Sequence, residues 1–240
     1  MKTLKESSWI SFSDLMTALM VIFMFIAISY ISEVNKEKQK IKNIVEEYQN
    51  DKQNLYLELK EEFKDDFTKW NVVLNKDLSI QFTNPDILFG RGDRYIRSNF
   101  KGILDDFLPR YFNILMDKEY KGKILEIRIE GHTDKVPAPS FDADSYIGNI
   151  KLSQARATEV LKHFKLSDYY KNLQDSVKVD LKFMLTANGL SYGRMLGEDK
   201  QLVKYTGIEP NDDLSRRVEF KILTKTEEAV EKVIKELKSK

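Results

Sequence analysis

The chain has 240 residues and a mass of 28.1 kDa, room for one ordinary domain plus something extra. Its 39 Lys+Arg stand against 38 Asp+Glu, a formal net charge of +1, which lacks the basic excess that drives nucleic-acid affinity; no direct nucleic-acid contact is expected. With no cysteine and only two histidines, His132 and His163, disulfide frameworks, thiolate metal sites and cysteine nucleophiles are excluded, and neither a metal nor a cofactor is expected. A hydrophobic content of 42% rules out disorder throughout, and 32% charged residues rule out a polytopic membrane protein.

The first predicted element is apolar. Leu15 to Ser32 carries no formal charge, and at about 1.5 Å per residue it spans about 27 Å, enough for a bilayer core. Trp9 and Tyr30 sit near its two ends, where amphipathic rings favour the interface. A cleaved signal peptide is the alternative, with Ala27-Ile28-Ser29 as its small-residue site, but Asp14 stands where such a peptide carries Lys or Arg. An uncleaved single-pass helix over residues 15–32 is therefore expected, following a cytoplasmic stretch at 1–14. The flanking lysines do not set its direction: Lys2 and Lys5 precede it, whereas Lys36, Lys38, Lys40 and Lys42 follow it, the reverse of what a cytoplasmic N-terminus calls for.

Asp14 is the first functional candidate. A carboxylate in a membrane helix costs roughly 2.5–3.5 kcal/mol and so tends to face protein or a water-filled path. Desolvation there favours the neutral form, which suits a group that loads and releases a proton. Ser13 and Thr17 lie within one turn and offer hydroxyls to it. The alternative is that Asp14 is a helix N-cap; Ile10 and Phe12 extend the apolar character upstream and place it about a turn inside. The segment alone leaves both readings open.

Residues 33–69 are rich in Lys, Glu, Gln and Asn, with Ile41, Ile44, Val45, Tyr48, Leu55 and Leu59 at helical spacings. They predict a helix leaving the membrane that serves as a solvated spacer beyond its first two turns. A channel plug, if the chain has one, belongs around Val34 to Tyr48. From Trp70 the pattern shifts to an α+β domain. Short strands flank an Asn75-Lys76-Asp77 turn, helices are predicted over Ile103–Met116 and Ser153–Phe164, and strands over Ile124–Glu130, Val177–Leu185 and Arg217–Leu223. Residues 225–240 carry Val230, Val233, Ile234 and Leu237 on one face, the pattern of an amphipathic C-terminal helix docked on the domain.

Three motifs fall together in this domain: Gly131-His132-Thr133-Asp134 after a strand, Asn149 to Ala157 (NIKLSQARA) opening a helix, and Ser215-Arg216-Arg217-Val218-Glu219 entering the last strand. In this order they resemble the OmpA-like peptidoglycan-binding domain over about residues 70–224. The resemblance implies a βαβαββ sandwich that grips the free carboxylate and amine of a stem-peptide diamino acid. On that reading Asp134 meets the ammonium, Arg156 offers its planar fork to the carboxylate, Asn149 bonds the ligand or fixes the loop, and Arg216 adds a second positive contact. The alternative is a salt bridge between Arg156 and Asp134. His132 is read as a structural residue packing the turn. No nucleophile–base pair is evident, so no enzymatic activity is expected.

The long loop from Lys135 to Gly148, with Pro137 and Pro139, and the N-terminal run Ser13-Asp14-Leu15-Met16-Thr17 resemble the B subunits of MotB-type stators over nearly the full length. The Ser-Asp-Leu-Met-Thr run, without the Ala-Asp-Phe pattern of flagellar MotB, is closer to ZorB of the Zorya anti-phage systems. That resemblance implies a homodimer within a ring of MotA/ZorA-like membrane subunits, Asp14 carrying protons, with Na+ as the alternative ion, and an inner-membrane protein whose wall-binding domain is periplasmic. A flagellar stator, a passive membrane-to-wall tether and a TolR-like energiser are the competing readings.

Overall fold

The computed structural model describes residues 3–225, with side chains from Phe12 onward. The C-terminal amphipathic helix expected over 225–240 lies outside the described residues apart from its first position. The chain opens with one continuous helix, α1 (Thr3–Glu62), about 90 Å long at 1.5 Å per residue. No Gly or Pro interrupts it before Pro85 and Gly90, so nothing in the backbone breaks the ladder between its apolar and charged halves. It is long and apolar enough to cross a membrane, and Leu15, Phe23, Ile26 and Ile31 are all exposed on it.

After α2 (Phe67–Trp70), the hairpin β1 (Val72–Leu74) and β2 (Ile80–Phe82) pairs antiparallel around the predicted turn. There follow α3 (Pro85–Leu88), α4 (Ser98–Leu115), β3 (Ile124–Gly131), α5 (Ser145–Leu166), α6 (Asp168–Asn172), α7 (Asp175–Met184), β4 (Leu185–Gly189), α8 (Val203–Thr206), α9 (Asp212–Ser215) and β5 (Val218–Thr224). Among the described residues the strands form one sheet in the order β1-β2-β5-β3-β4, parallel only between β3 and β4. From β2 onward the strands and long helices follow the expected βαβαββ order, with β1 added in front.

The strand alternation sorts the sheet into two faces. Ile80, Phe82, Val218, Phe220, Ile222, Ile127 and Ile129 are buried, packing with Phe100, Phe107, Tyr111, Phe112 and Phe164 of α4 and α5. The rings meet edge-on or offset, as Phe82 does with Phe107 at 5.1 Å and Phe112 with Phe164 at 4.3 Å. The alternate positions, Gln81, Glu219, Lys221, Arg128 and Glu130, give the other face a polar character.

Two expectations are corrected. The strand expected over Val177–Leu185 is helical up to Met184, as part of α7, and the strand begins only at Leu185. Val177, Leu181 and Met184 recur at i, i+4 and i+7, and Leu181 and Met184 are buried; Val177, Val179, Leu181, Phe183 and Leu185 meanwhile alternate at the period of two that marks a strand. The last turns of α1 are not a solvated spacer either. Leu55, Leu59 and Phe63 are buried with the domain core. Arg110 of α4 donates to the Glu62 carboxylate (2.6 Å), the Glu62 carbonyl (2.5 Å) and Asp66 (2.8 Å), with its guanidinium 4.6 Å from the Phe63 ring centroid. Lys123 adds an ion pair to Asp51 at 2.8 Å.

Candidate functional site

The end of β3 sets the first wall of a groove. Gly131 is required there because a Cβ would lie 2.2 Å from the Ser153 carbonyl oxygen of α5, so the helix can approach the strand only at glycine. Gly189 on β4 does the same: its Cβ would stand 2.4 Å from the Gln154 nitrogen. This close approach brings α5 over the β3 end and places Asn149 and Arg156 beside Thr133 and Asp134. The helix begins at Ser145, capped by Asp144 accepting from the Ile147 N–H at 2.8 Å, a turn earlier than the motif suggests.

All four predicted wall-binding residues, Asp134, Asn149, Arg156 and Arg216, line one groove of about 280 Å³. Their partners differ from the expected ones in part. Arg156 and Asp134 are not bonded to each other. Asp134 accepts from the Val136 N–H (2.9 Å) through Oδ1 and from Arg216 Nη1 (2.5 Å) through Oδ2, and Arg216 also reaches Asp213. Arg156 donates from Nε to the Asp93 carbonyl (2.8 Å) and from Nη2 to the Gly90 carbonyl (3.1 Å), and lies over the Phe89 ring at 5.0 Å. Two of its three guanidinium nitrogens thus hold the 89–93 loop, and Nη1 makes neither bond. Burial, offset in part by Asp134, lowers its pKa to about 10. Burial also opposes the Arg216 charge, but Asp134 and Asp213 outweigh it and hold that pKa above its ordinary value.

Asn149 donates to the Val136 and Ser145 carbonyls at 3.0 and 3.1 Å, fixing the Lys135–Gly148 loop. Its Oδ1 and the Thr133 Oγ1 are buried without a hydrogen-bond partner, and both residues line the groove. A buried polar atom left unpaired costs about 1–3 kcal/mol, so this pair marks where an incoming group finds acceptors. The sequence reading missed Thr133 and the loop Phe89-Gly90-Arg91-Gly92-Asp93; the aromatic followed by alternating glycines, with Gly92 at φ 67°, was the available signal.

His132 faces away from this groove, into the polar side of the sheet. It is 1% exposed, its Nε2 is 3.6 Å from both Glu130 and Glu219, and neither ring nitrogen is hydrogen-bonded. Burial, aided by Arg217, pushes its pKa well below the ordinary value. Its carboxylate neighbours and Arg217, which donates to Glu219 at 3.2 Å, make this a packed ionic layer.

At the other end of the chain, Asp14 lies eleven residues past the start of α1 at Thr3. It is therefore about three turns inside the helix, and the N-cap alternative does not hold. Thr17 Oγ1 donates to the Ser13 carbonyl at 2.9 Å, so its proton is committed to the backbone and only its oxygen lone pairs face outward.

No protein-family model matches the chain. Among solved structures, the cell wall anchor of the type VI secretion system from Pseudomonas aeruginosa is similar with 21% identity and a TM-score of 0.43, covering 70% of this chain and 97% of that one. A MotB periplasmic domain is similar with 16% identity and a TM-score of 0.43, over 67% of this chain and 70% of that one. Two curated relatives are similar along nearly the whole chain. The Zorya protein ZorB of Escherichia coli O139:H28 (strain E24377A) is 24% identical over 88% of this chain and 86% of its own length. The Zorya protein ZorB of Escherichia coli strain ATCC 8739 is 38% identical over 230 residues, 95% of this chain and 92% of its own length. With that identity carried from the membrane helix through the groove, the chain belongs to the ZorB family.

Proposed function

We propose that this chain is the wall-anchored B subunit of an ion-driven inner-membrane motor acting in anti-phage defence. Residues 15–32 cross the membrane with the N-terminus in the cytoplasm, and the domain lies in the periplasm. Two copies run their α1 helices up the middle of a ring of ZorA-like subunits, and Asp14 of each copy takes up a proton from outside and releases it inside. One charge crossing 100 mV supplies about 2.3 kcal/mol, several times the thermal energy, which biases the ring's rotation. The observation that carries this reading is one chain joining a membrane-length helix, with a carboxylate three turns inside it, to a groove that gathers Asp134, Asn149, Arg156 and Arg216.

The groove's chemistry supports a stem-peptide residue as ligand. A cationic wall of Arg156 and Arg216 receives a carboxylate, while the unpaired Asn149 and Thr133 oxygens and the buried Asp134 carboxylate accept from an ammonium. Because Asp134 is already paired with Arg216, the ammonium enters as a third partner of a carboxylate with lone pairs to spare.

Phage plating and proton flux in cells carrying the native gene neighbourhood test the motor. Asp14→Asn is expected to assemble normally and to lose both flux and protection. Retained flux would refute the carrier role, and retained protection would leave a passive tether. Asp134→Ala and Arg156→Ala are expected to weaken sedimentation with peptidoglycan sacculi; unchanged sedimentation of both would refute the groove as the wall site.

A further inference from the structure

A second recess, of about 580 Å³, opens on the polar side of the sheet. Ser79, Gln81 and Glu219 of the β2 and β5 region form its floor, and the 75–77 turn and the 194–205 segment form its sides. Five cations line it, Lys76, Arg194, Lys200, Arg217 and Lys221, against two carboxylates, Asp77 and Glu219. Two cations are matched inside the recess: Arg217 donates to Glu219 at 3.2 Å, and Lys221 lies 3.6 Å from Asp77. The other three are not. Lys76 and Lys200 make no side-chain hydrogen bond or ion pair with the described residues, and Arg194 reaches only Glu130, at a loose 3.5 Å. Unmatched cations around a concave protein surface focus a positive potential and raise the local concentration of anions.

Beside these cations stands Tyr205, 77% exposed, lining the same recess. Its ring is free on the solvent side, with the Lys204 ammonium 5.9 Å from its centroid. An exposed aromatic face next to an anion-attracting hollow offers two different contacts to one molecule: a flat apolar surface for a sugar ring, and charge-assisted hydrogen bonds for a phosphate. We propose that this recess binds a phosphorylated sugar, its phosphate held by Arg194, Lys76 and Lys200 and its ring laid against Tyr205. The volume exceeds what an inorganic anion fills and suits a monosaccharide phosphate. The site goes beyond the wall-binding groove and does not depend on it, although Arg217 lines both.

The test is calorimetric titration of the full chain, purified in detergent at low salt, with glucose 6-phosphate, inorganic phosphate and glucose. Glucose 6-phosphate is expected to bind, glucose to give no heat, and inorganic phosphate to bind at least fivefold more weakly. The double variant Lys76→Gln/Lys200→Gln is expected to lose at least tenfold in affinity. Tyr205→Ala is expected to reduce glucose 6-phosphate to the level of inorganic phosphate. All three side chains are exposed, and an unchanged thermal melt verifies that the variants fold. Absence of binding to the wild type at millimolar glucose 6-phosphate would overturn the proposal, as would full affinity in the double variant. Equal binding of the two phosphates, unaffected by Tyr205→Ala, would overturn the sugar assignment.

Discussion

Replacing Leu59 by Ala tests whether the end of α1 belongs to the folded domain. Leu59 is fully buried, between Leu55 at 2% and Phe63 at 1% exposure, and the aromatic cluster around Phe63 and Phe107 fixes this end of the helix. Such a rigid site cannot collapse onto the deleted methyls. The loss therefore combines the transfer energy of the removed atoms with a residual cavity, about 3 kcal/mol within the 2–5 kcal/mol range of buried Leu→Ala changes. For a domain of this size each 1 kcal/mol lowers the melting temperature by about 2–4 °C, so a fall of about 6–12 °C is expected. Near-UV circular dichroism of the full chain follows the tertiary packing of Trp70, whose ring lies 6.3 Å from Phe63. Leu57→Ala is the control: Leu57 is 50% exposed and is expected to shift the midpoint by less than 1 °C. Equal small shifts for both variants would refute the packing of α1 into the core and restore the solvated-spacer reading.

Gly131→Ala forces a Cβ against the Ser153 carbonyl at 2.2 Å; α5 must move away from β3, at a cost of about 1–3 kcal/mol or more. Chemical denaturation is expected to show this loss together with weaker sacculus sedimentation, because Asn149 and Arg156 ride on the displaced helix; wild-type stability in this variant would contradict the close approach. Stability also responds to pH. The buried His132 has its folded-state pKa depressed below the ordinary 6.5, so the unfolded chain takes up a proton first, and stability present above pH 6.5 is lost as the pH falls below it. His132→Gln is expected to flatten the slope of stability against pH just below 6.5, and an identical slope in wild type and variant would show that the imidazole is not held neutral.

The parts of this chain that a sequence reading recovers are those where one periodicity dominates. The apolar run at residues 15–32 and the α4 stripe of Phe100, Leu104, Phe107 and Tyr111 leave no competing pattern. The Asn75-Lys76-Asp77 turn between two β-rich segments is equally plain. α7 carries two competing patterns, the alternation of Val177, Val179, Leu181, Phe183 and Leu185 and the helical spacing of Val177, Leu181 and Met184, and the choice is made by which face meets β3. Within the groove, residue types and order pointed to Asp134, Asn149, Arg156 and Arg216, but not to their pairing. That Arg216 rather than Arg156 takes Asp134 depends on where the 89–93 loop folds, and its carbonyls claim Arg156 from more than sixty positions away. Such a contact is written in three dimensions and leaves no local signature.

The uninterrupted α1 makes the protein sensitive to helical phase. Between Ser32 and Asp51 the helix connects the apolar segment to the body with no hinge residue. One residue inserted there raises the domain by only about 1.5 Å but swings it about 100° around the helix axis. Seven residues lift it about 10 Å and return it to within about 20° of its starting direction. The azimuth between Asp14 and the groove is thus set by counting residues, and the segment tolerates a whole heptad better than a single added amino acid.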